Sequence, residues 1–128
     1  MKPKLIKIES LLAHEELVLD ELYALKENIE RTGVLECPIL VDNKHNIILD
    51  GHHRAKSLEE LGCRYVPAWL VNYFGDEVGL VSWRKDFSVT KEMVCERALT
   101  GKPFPPKTSN HIYGFRGRLY EYRIDDLR

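Results

Sequence analysis

The residues best equipped for chemistry stand in one run, Asp50, Gly51, His52, His53 and Arg54. The apolar run Ile47-Ile48-Leu49 precedes them, and Ala55, Leu58 and Leu61 follow at helical spacing, so the run reads as a strand-to-helix junction. The first turn of a helix offers unpaired backbone N–H groups and the positive end of the helix dipole. His52, His53 and Arg54 add side-chain donors at the same place, and Gly51 allows a tight turn and close approach of a ligand to the backbone. Phosphate is the anion such a junction suits. Asp50 lies at the C-terminal end of the strand, where ligands collect in open α/β sheets. There it suits holding a divalent cation or steering a hydroxyl; capping the helix is its structural alternative.

Two other segments carry reactive groups. His14-Glu15-Glu16 places adjacent carboxylates in a loop, where one would accept a proton from a nucleophile unless both are simply solvated. Spacing gives no preference between Glu15 and Glu16. In Pro105-Pro106-Lys107-Thr108-Ser109, which runs on to His111, prolines stiffen a segment bearing a cation, two hydroxyls and an imidazole. Such a turn binds phosphate or carboxylate, or is a plain loop. Trp83-Arg84 offers an apolar wall and a guanidinium for an anionic ligand, or else a half-buried indole beside an exposed charge. Cys37, Cys63 and Cys95 are far apart with no CxxC, which reads as three buried, inert thiols.

These groups need a scaffold, and the pattern supplies one. Residues 4–8 alternate as a strand. Asp20 is a plausible N-cap for a helix carrying Leu22, Leu25 and Ile29 and closed by Gly33. Residues 39–41 and 47–49 form a hairpin around the polar turn 42–46, and the helix from His52 ends at Gly62. Residues 65–71 are the next strand, with Pro67 implying an exposed edge or an irregular start. Residues 78–83 read as either strand or short helix. Thr90 caps a helix ended by Gly101, residues 102–111 are extended, and 119–124 form a final strand. The expectation is a single mixed α/β domain over residues 1–128.

A chain of 128 residues, 44% hydrophobic and 30% charged, has the composition of an ordinary globular protein large enough for one core. Its net charge of −1 argues against broad nucleic-acid binding, so DNA is not an expected partner. No apolar run approaches membrane-spanning length, and Met1-Lys2-Pro3-Lys4-Leu5 lacks the apolar core of a secretory signal, so a cytoplasmic protein without membrane contact is expected.

The Asp50–Arg54 run, with Ala55, Leu58 and the Leu61-Gly62 ending, resembles the signature of the ParB/sulfiredoxin superfamily. Within it, residues 14–15, 32–42, 82–84 and 104–108 make the chain most similar to the free L-serine kinases of the SerK type. The resemblance implies a ParB/sulfiredoxin-like fold that phosphorylates L-serine to O-phospho-L-serine with ADP or ATP and Mg²⁺. It further implies Glu15, through the preceding His14, and Asp50 as catalytic residues. Gly51, His52, His53, Arg54, Lys107 and Thr108 would bind nucleotide phosphates, and Trp83, Arg84, Ser109 and His111 would bind substrate. Ser109-Asn110 departs from the family's segment, where a basic residue is expected before the histidine. A monomer or weak homodimer is expected. Sulfiredoxin chemistry would need a cysteine where His52 stands; the alternative is a ParB-like CTP- or nucleotide-binding partition or regulatory protein without kinase activity.

Overall fold

The computed structural model describes residues 2–128. In chain order the elements are β1 (Lys4–Lys7), a 3-10 turn (Ile8–Ser10), α1 (Leu19–Thr32), β2 (Val34–Leu35), β3 (Ile39–Asp42), β4 (Ile48–Asp50), α2 (His52–Glu60) and β5 (Tyr65–Val71). Then follow β6 (Val78–Ser82), α3 (Lys91–Thr100), β7 (Ser109–Tyr113), β8 (Tyr122–Arg123) and a second 3-10 turn (Ile124–Leu127). A four-stranded mixed sheet, ordered β1-β5-β3-β4, is the platform; the pairs β2-β8 and β6-β7 flank it.

Strand alternation divides the core between the sheet's two faces. Ile39, Val41, Ile48, Val66 and Ala68 pack with Ile29, Ala55 and Leu58 from α1 and α2. Leu40, Leu49, Trp69 and Val71 pack on the other side with Val94 and Ala98 of α3, Phe104, and Val78 and Tyr113 of β6 and β7. The β3-β4 hairpin sets Asp50 opposite Leu40, with a register shift beside it, and so fixes where the strand-to-helix junction opens.

Most local signals hold: Gly33 and Gly101 close α1 and α3 in the left-handed region, and Thr90 accepts a bond from Met93 N. Five expectations change, the first being that of the three cysteines only Cys63 is buried, while Cys37 and Cys95 are half-buried. Asp20 is not the N-cap; α1 starts at Leu19 behind Val18, with no side-chain cap, and Asp20 sits in the first turn. Pro67 lies in an inner strand, tolerated because pairing with β3 begins only at Ala68. Residues 109–113 form a strand, held by β6. The final strand shrinks to Tyr122–Arg123 because its partner β2 is only two residues long. The ambiguous 78–83 segment is the strand β6. Among the described residues no helix is long and apolar enough to cross a membrane.

Candidate functional site

A cleft of about 240 Å³ opens where β4 runs into α2. Its walls are the loop 14–18 on one side and the segment 106–111 on the other, with Trp83 and Arg116 at the rim. Helix α2 has Gly51 at its N-cap position with φ 108° and no side-chain cap, and its first turn has no acidic residue. Its terminal N–H groups and positive dipole end are therefore left for a ligand. Gly51 is required sterically as well: a Cβ there would lie 2.7 Å from Ile39 Cβ.

Asp50 does not cap the helix. Its Oδ2 accepts from the Tyr113 hydroxyl at 2.6 Å and lies 3.6 Å from both Arg54 and Arg116. Burial, and then the Asp50 charge, push the Tyr113 phenol up, so it stays a donor. All three contacts fall on Oδ2; Oδ1 has no partner among the described residues. The Arg54 guanidinium is also tied to the carbonyls of Pro38 at 2.7 Å and Cys37 at 3.3 Å, which fixes its head at the mouth of α2.

Glu15 sits in a loop stitched to the chain around Phe104 by two backbone bonds of 2.8 Å. Its Oε1 accepts from Thr108 N at 3.3 Å, Ser109 N at 2.9 Å and Ser109 Oγ at 2.9 Å; Oε2 accepts only from Lys107 N at 3.2 Å. One oxygen is an anchor and the other keeps lone-pair capacity. Glu16 also lines the cleft, and its carboxylate has no bonded partner among the described residues.

Four histidines lie around the floor, and their nitrogens are largely committed. His14, 1% exposed, places Nδ1 2.6 Å from the Ile48 carbonyl and Nε2 2.9 Å from Ser109 Oγ. His52 Nε2 accepts the backbone N–H of His14 at 3.2 Å, and His53 Nε2 that of Val18 at 3.0 Å. His111 pairs with the Tyr73 hydroxyl at 2.7 Å. Burial lowers the His14 imidazole and lowers His52 further, where neighbouring His14 and His111 add repulsion. Burial, with His14 and Lys91 nearby, takes His111 down to about 3. The His14, His52 and His111 rings are neutral at physiological pH.

The cleft gathers ten of the twelve residues picked out from sequence: Glu15, Asp50, Gly51, His52, His53, Arg54, Trp83, Lys107, Ser109 and His111. It does not gather Thr108, whose hydroxyl donates to Pro105 O from a buried position, or Arg84, whose guanidinium donates to Pro106 O. Within the cleft, His52 and His53 spend Nε2 on pinning the Glu15 loop, and Ser109 and His111 bond to protein partners, so none of these four presents those atoms to a ligand. Arg116 was missed. It follows β7, lines the cleft and donates to Asn110 Oδ1 at 3.3 Å, so a basic group reaches the place where the 107–111 segment lacks one. No local pattern marks it.

No known family profile matches the chain. It is 40% identical over 87 residues to an ATP-dependent L-serine kinase of Staphylothermus marinus, a match covering 65% of this chain and 34% of the relative. It is 32% identical over 96 residues to an ADP-dependent L-serine kinase of Thermococcus kodakarensis, covering 72% of this chain and 40% of that one. The matches thus span only 34% and 40% of the length of these two curated relatives. A solved free serine kinase in complex with AMP superposes with a TM-score of 0.92 at 18% identity, covering 100% of this chain and 94% of that one. Further structures of that kinase carry alanine or glutamine in place of one glutamate. The fold is shared over the whole chain.

Proposed function

We propose that this chain, which has the fold of the free serine kinases, transfers the terminal phosphoryl group of ADP or ATP to the hydroxyl of free L-serine. The observation that carries this reading is the placing of the uncapped start of α2 and the tethered Glu15 carboxylate on one cleft. Phosphoryl transfer asks mainly for positioning and charge neutralisation, and those are what this cleft supplies. The N-terminal N–H groups of α2, with Arg54 and Lys107, hold the donor phosphates, and Arg116 closes the rim. Trp83 walls the serine side.

Glu15 takes the serine hydroxyl proton on Oε2. The serine oxygen bonds to the terminal phosphorus as the bond from that phosphorus to its bridging oxygen breaks, the electron pair leaving on the nucleotide. A base so placed contributes roughly 10²–10⁴-fold in rate. Mg²⁺ suits the site: Asp50 Oδ1 is open, one carboxylate plus donor phosphates is its usual protein setting, and when bound it would neutralise phosphate charge. The protein acts in this reading on small molecules, in the cytoplasm, as a monomer or weak homodimer without DNA. The test is incubation with L-serine, Mg²⁺ and ADP or ATP, followed by mass spectrometry for O-phosphoserine. No product with either nucleotide, together with tight CTP binding, would replace the kinase by a ParB-like nucleotide-binding regulator.

A further inference from the structure

The Ser109 hydroxyl stands 2.9 Å from Glu15 Oε1 and 2.9 Å from His14 Nε2. It has one proton and two candidate acceptors. His14 Nδ1 faces the Ile48 carbonyl, which can only accept, so Nδ1 carries the ring hydrogen. Desolvation keeps the ring neutral, and Nε2 therefore presents a lone pair. Ser109 Oγ–H satisfies Glu15 or His14, never both. The N–H groups of Thr108 and Ser109 stay on Oε1 in either case. None of the other charged or titratable groups of the cleft, Glu16, Asp50, His52, His53, Arg54, Lys107, His111 and Arg116, is hydrogen-bonded to the Ser109 side chain.

We propose that Ser109 is a positioning residue whose hydroxyl switches between Glu15 Oε1 and the buried His14 Nε2 as Glu15 gains and loses its proton. The inference rests on the reading of Glu15 as the base. While Glu15 is an anion, a charge-assisted bond from Ser109 fixes the carboxylate, and such bonds are about twice as strong as neutral ones. Once Glu15 Oε2 has taken the substrate proton, that bond loses its charge assistance, and His14 Nε2 is a ready acceptor of comparable strength. The turn of one hydroxyl thus offsets the interaction lost on protonation. His14 Nε2, on a ring 1% exposed, gains in that state the donor it lacks while Glu15 is an anion. Ser109 makes and breaks no covalent bond.

The experiment compares Ser109→Ala and Ser109→Thr with the parent in kcat, nucleotide KM and the pH profile of kcat. Ser109→Ala should lose roughly 10- to 100-fold in kcat, the range expected for one hydrogen bond to a charged group. Its acidic limb should move to higher pH because the anion loses a donor, with nucleotide KM little changed. Ser109→Thr keeps the hydroxyl and should restore both kcat and the limb. A merely structural serine would lower kcat without moving the limb. A parent-like rate and limb in Ser109→Ala, a fall in kcat with the limb unmoved, or no rescue by threonine overturns the proposal. Independently of turnover, nitrogen NMR of the His14 ring in Glu15→Gln, where residue 15 is uncharged, should show Nε2 accepting a hydroxyl donor that a second change, Ser109→Ala, removes; an Nε2 resonance that Ser109→Ala leaves unchanged in that background overturns it too. A parent that makes no phosphoserine removes the kinase reading, while the Nε2 signal still decides whether Ser109 reaches His14.

Discussion

Lowering the pH from 7.5 to 4.5 should destabilise this protein, because the cleft is floored by neutral, buried imidazoles. An unfolded histidine binds its proton near pH 6.5, whereas in the fold His111 is held down to about 3 and His14 and His52 shift the same way. Between the two values the unfolded chain holds protons that the folded chain excludes, so stability is fully present above about pH 6.5 and falls as pH drops through that window. For His111 alone, the two pH units from 6.5 to 4.5 cost about 2.7 kcal/mol at 1.36 kcal/mol per unit. His14 and His52 add in the same direction. A domain of this kind has roughly 5–15 kcal/mol in total, so the loss should be plain in urea unfolding. The midpoint should fall between pH 7.5 and 4.5 with the slope unchanged, and His111→Asn should flatten the dependence. A midpoint that stays constant across that window would show that these rings are not held neutral.

Gly51→Ala forces a side chain into the left-handed region and against Ile39, and should destabilise by about 1–3 kcal/mol in thermal unfolding; an unchanged melting temperature would contradict the geometry. Arg54→Ala removes a fixed guanidinium from the mouth of α2 and should weaken ADP or ATP binding by roughly tenfold or more in calorimetric titration. Equal affinity in the folded variant takes Arg54 out of the phosphate site. His53→Ala frees Val18 N, so amide exchange there should speed up and kcat should fall as the Glu15 loop loosens. Protection equal to the parent's would mean that His53 does not pin the loop.

What could be read from the sequence was local. Asp50 to Arg54 announced a strand-to-helix junction because glycine, an apolar strand end and helical spacing are adjacent in the chain, and Thr90, Gly33 and Gly101 marked helix ends in the same way. What a side chain meets across the fold carried no such signal. His52 and His53 read as phosphate ligands by type, yet their Nε2 atoms turn to backbone N–H groups 38 and 35 residues away. Glu15 is anchored by amides more than 90 residues downstream, and Arg116 enters the cleft from a turn with no motif of its own. Arg84 and Thr108 stand in the right segments but outside the cleft lining, with their side chains bonded to the Pro106 and Pro105 carbonyls.

The central claim is tested most directly by following phosphoryl transfer from ADP or ATP to L-serine with phosphorus NMR for the parent, Glu15→Gln and Glu16→Gln side by side. Both glutamates line the cleft, but only Glu15 is held by the 107–109 amides, and glutamine keeps its size while removing the base. The account predicts O-phosphoserine from the parent and from Glu16→Gln, and nucleotide binding without product from Glu15→Gln. Parent-like turnover by Glu15→Gln, or no phosphoserine from the parent with either nucleotide, would contradict it.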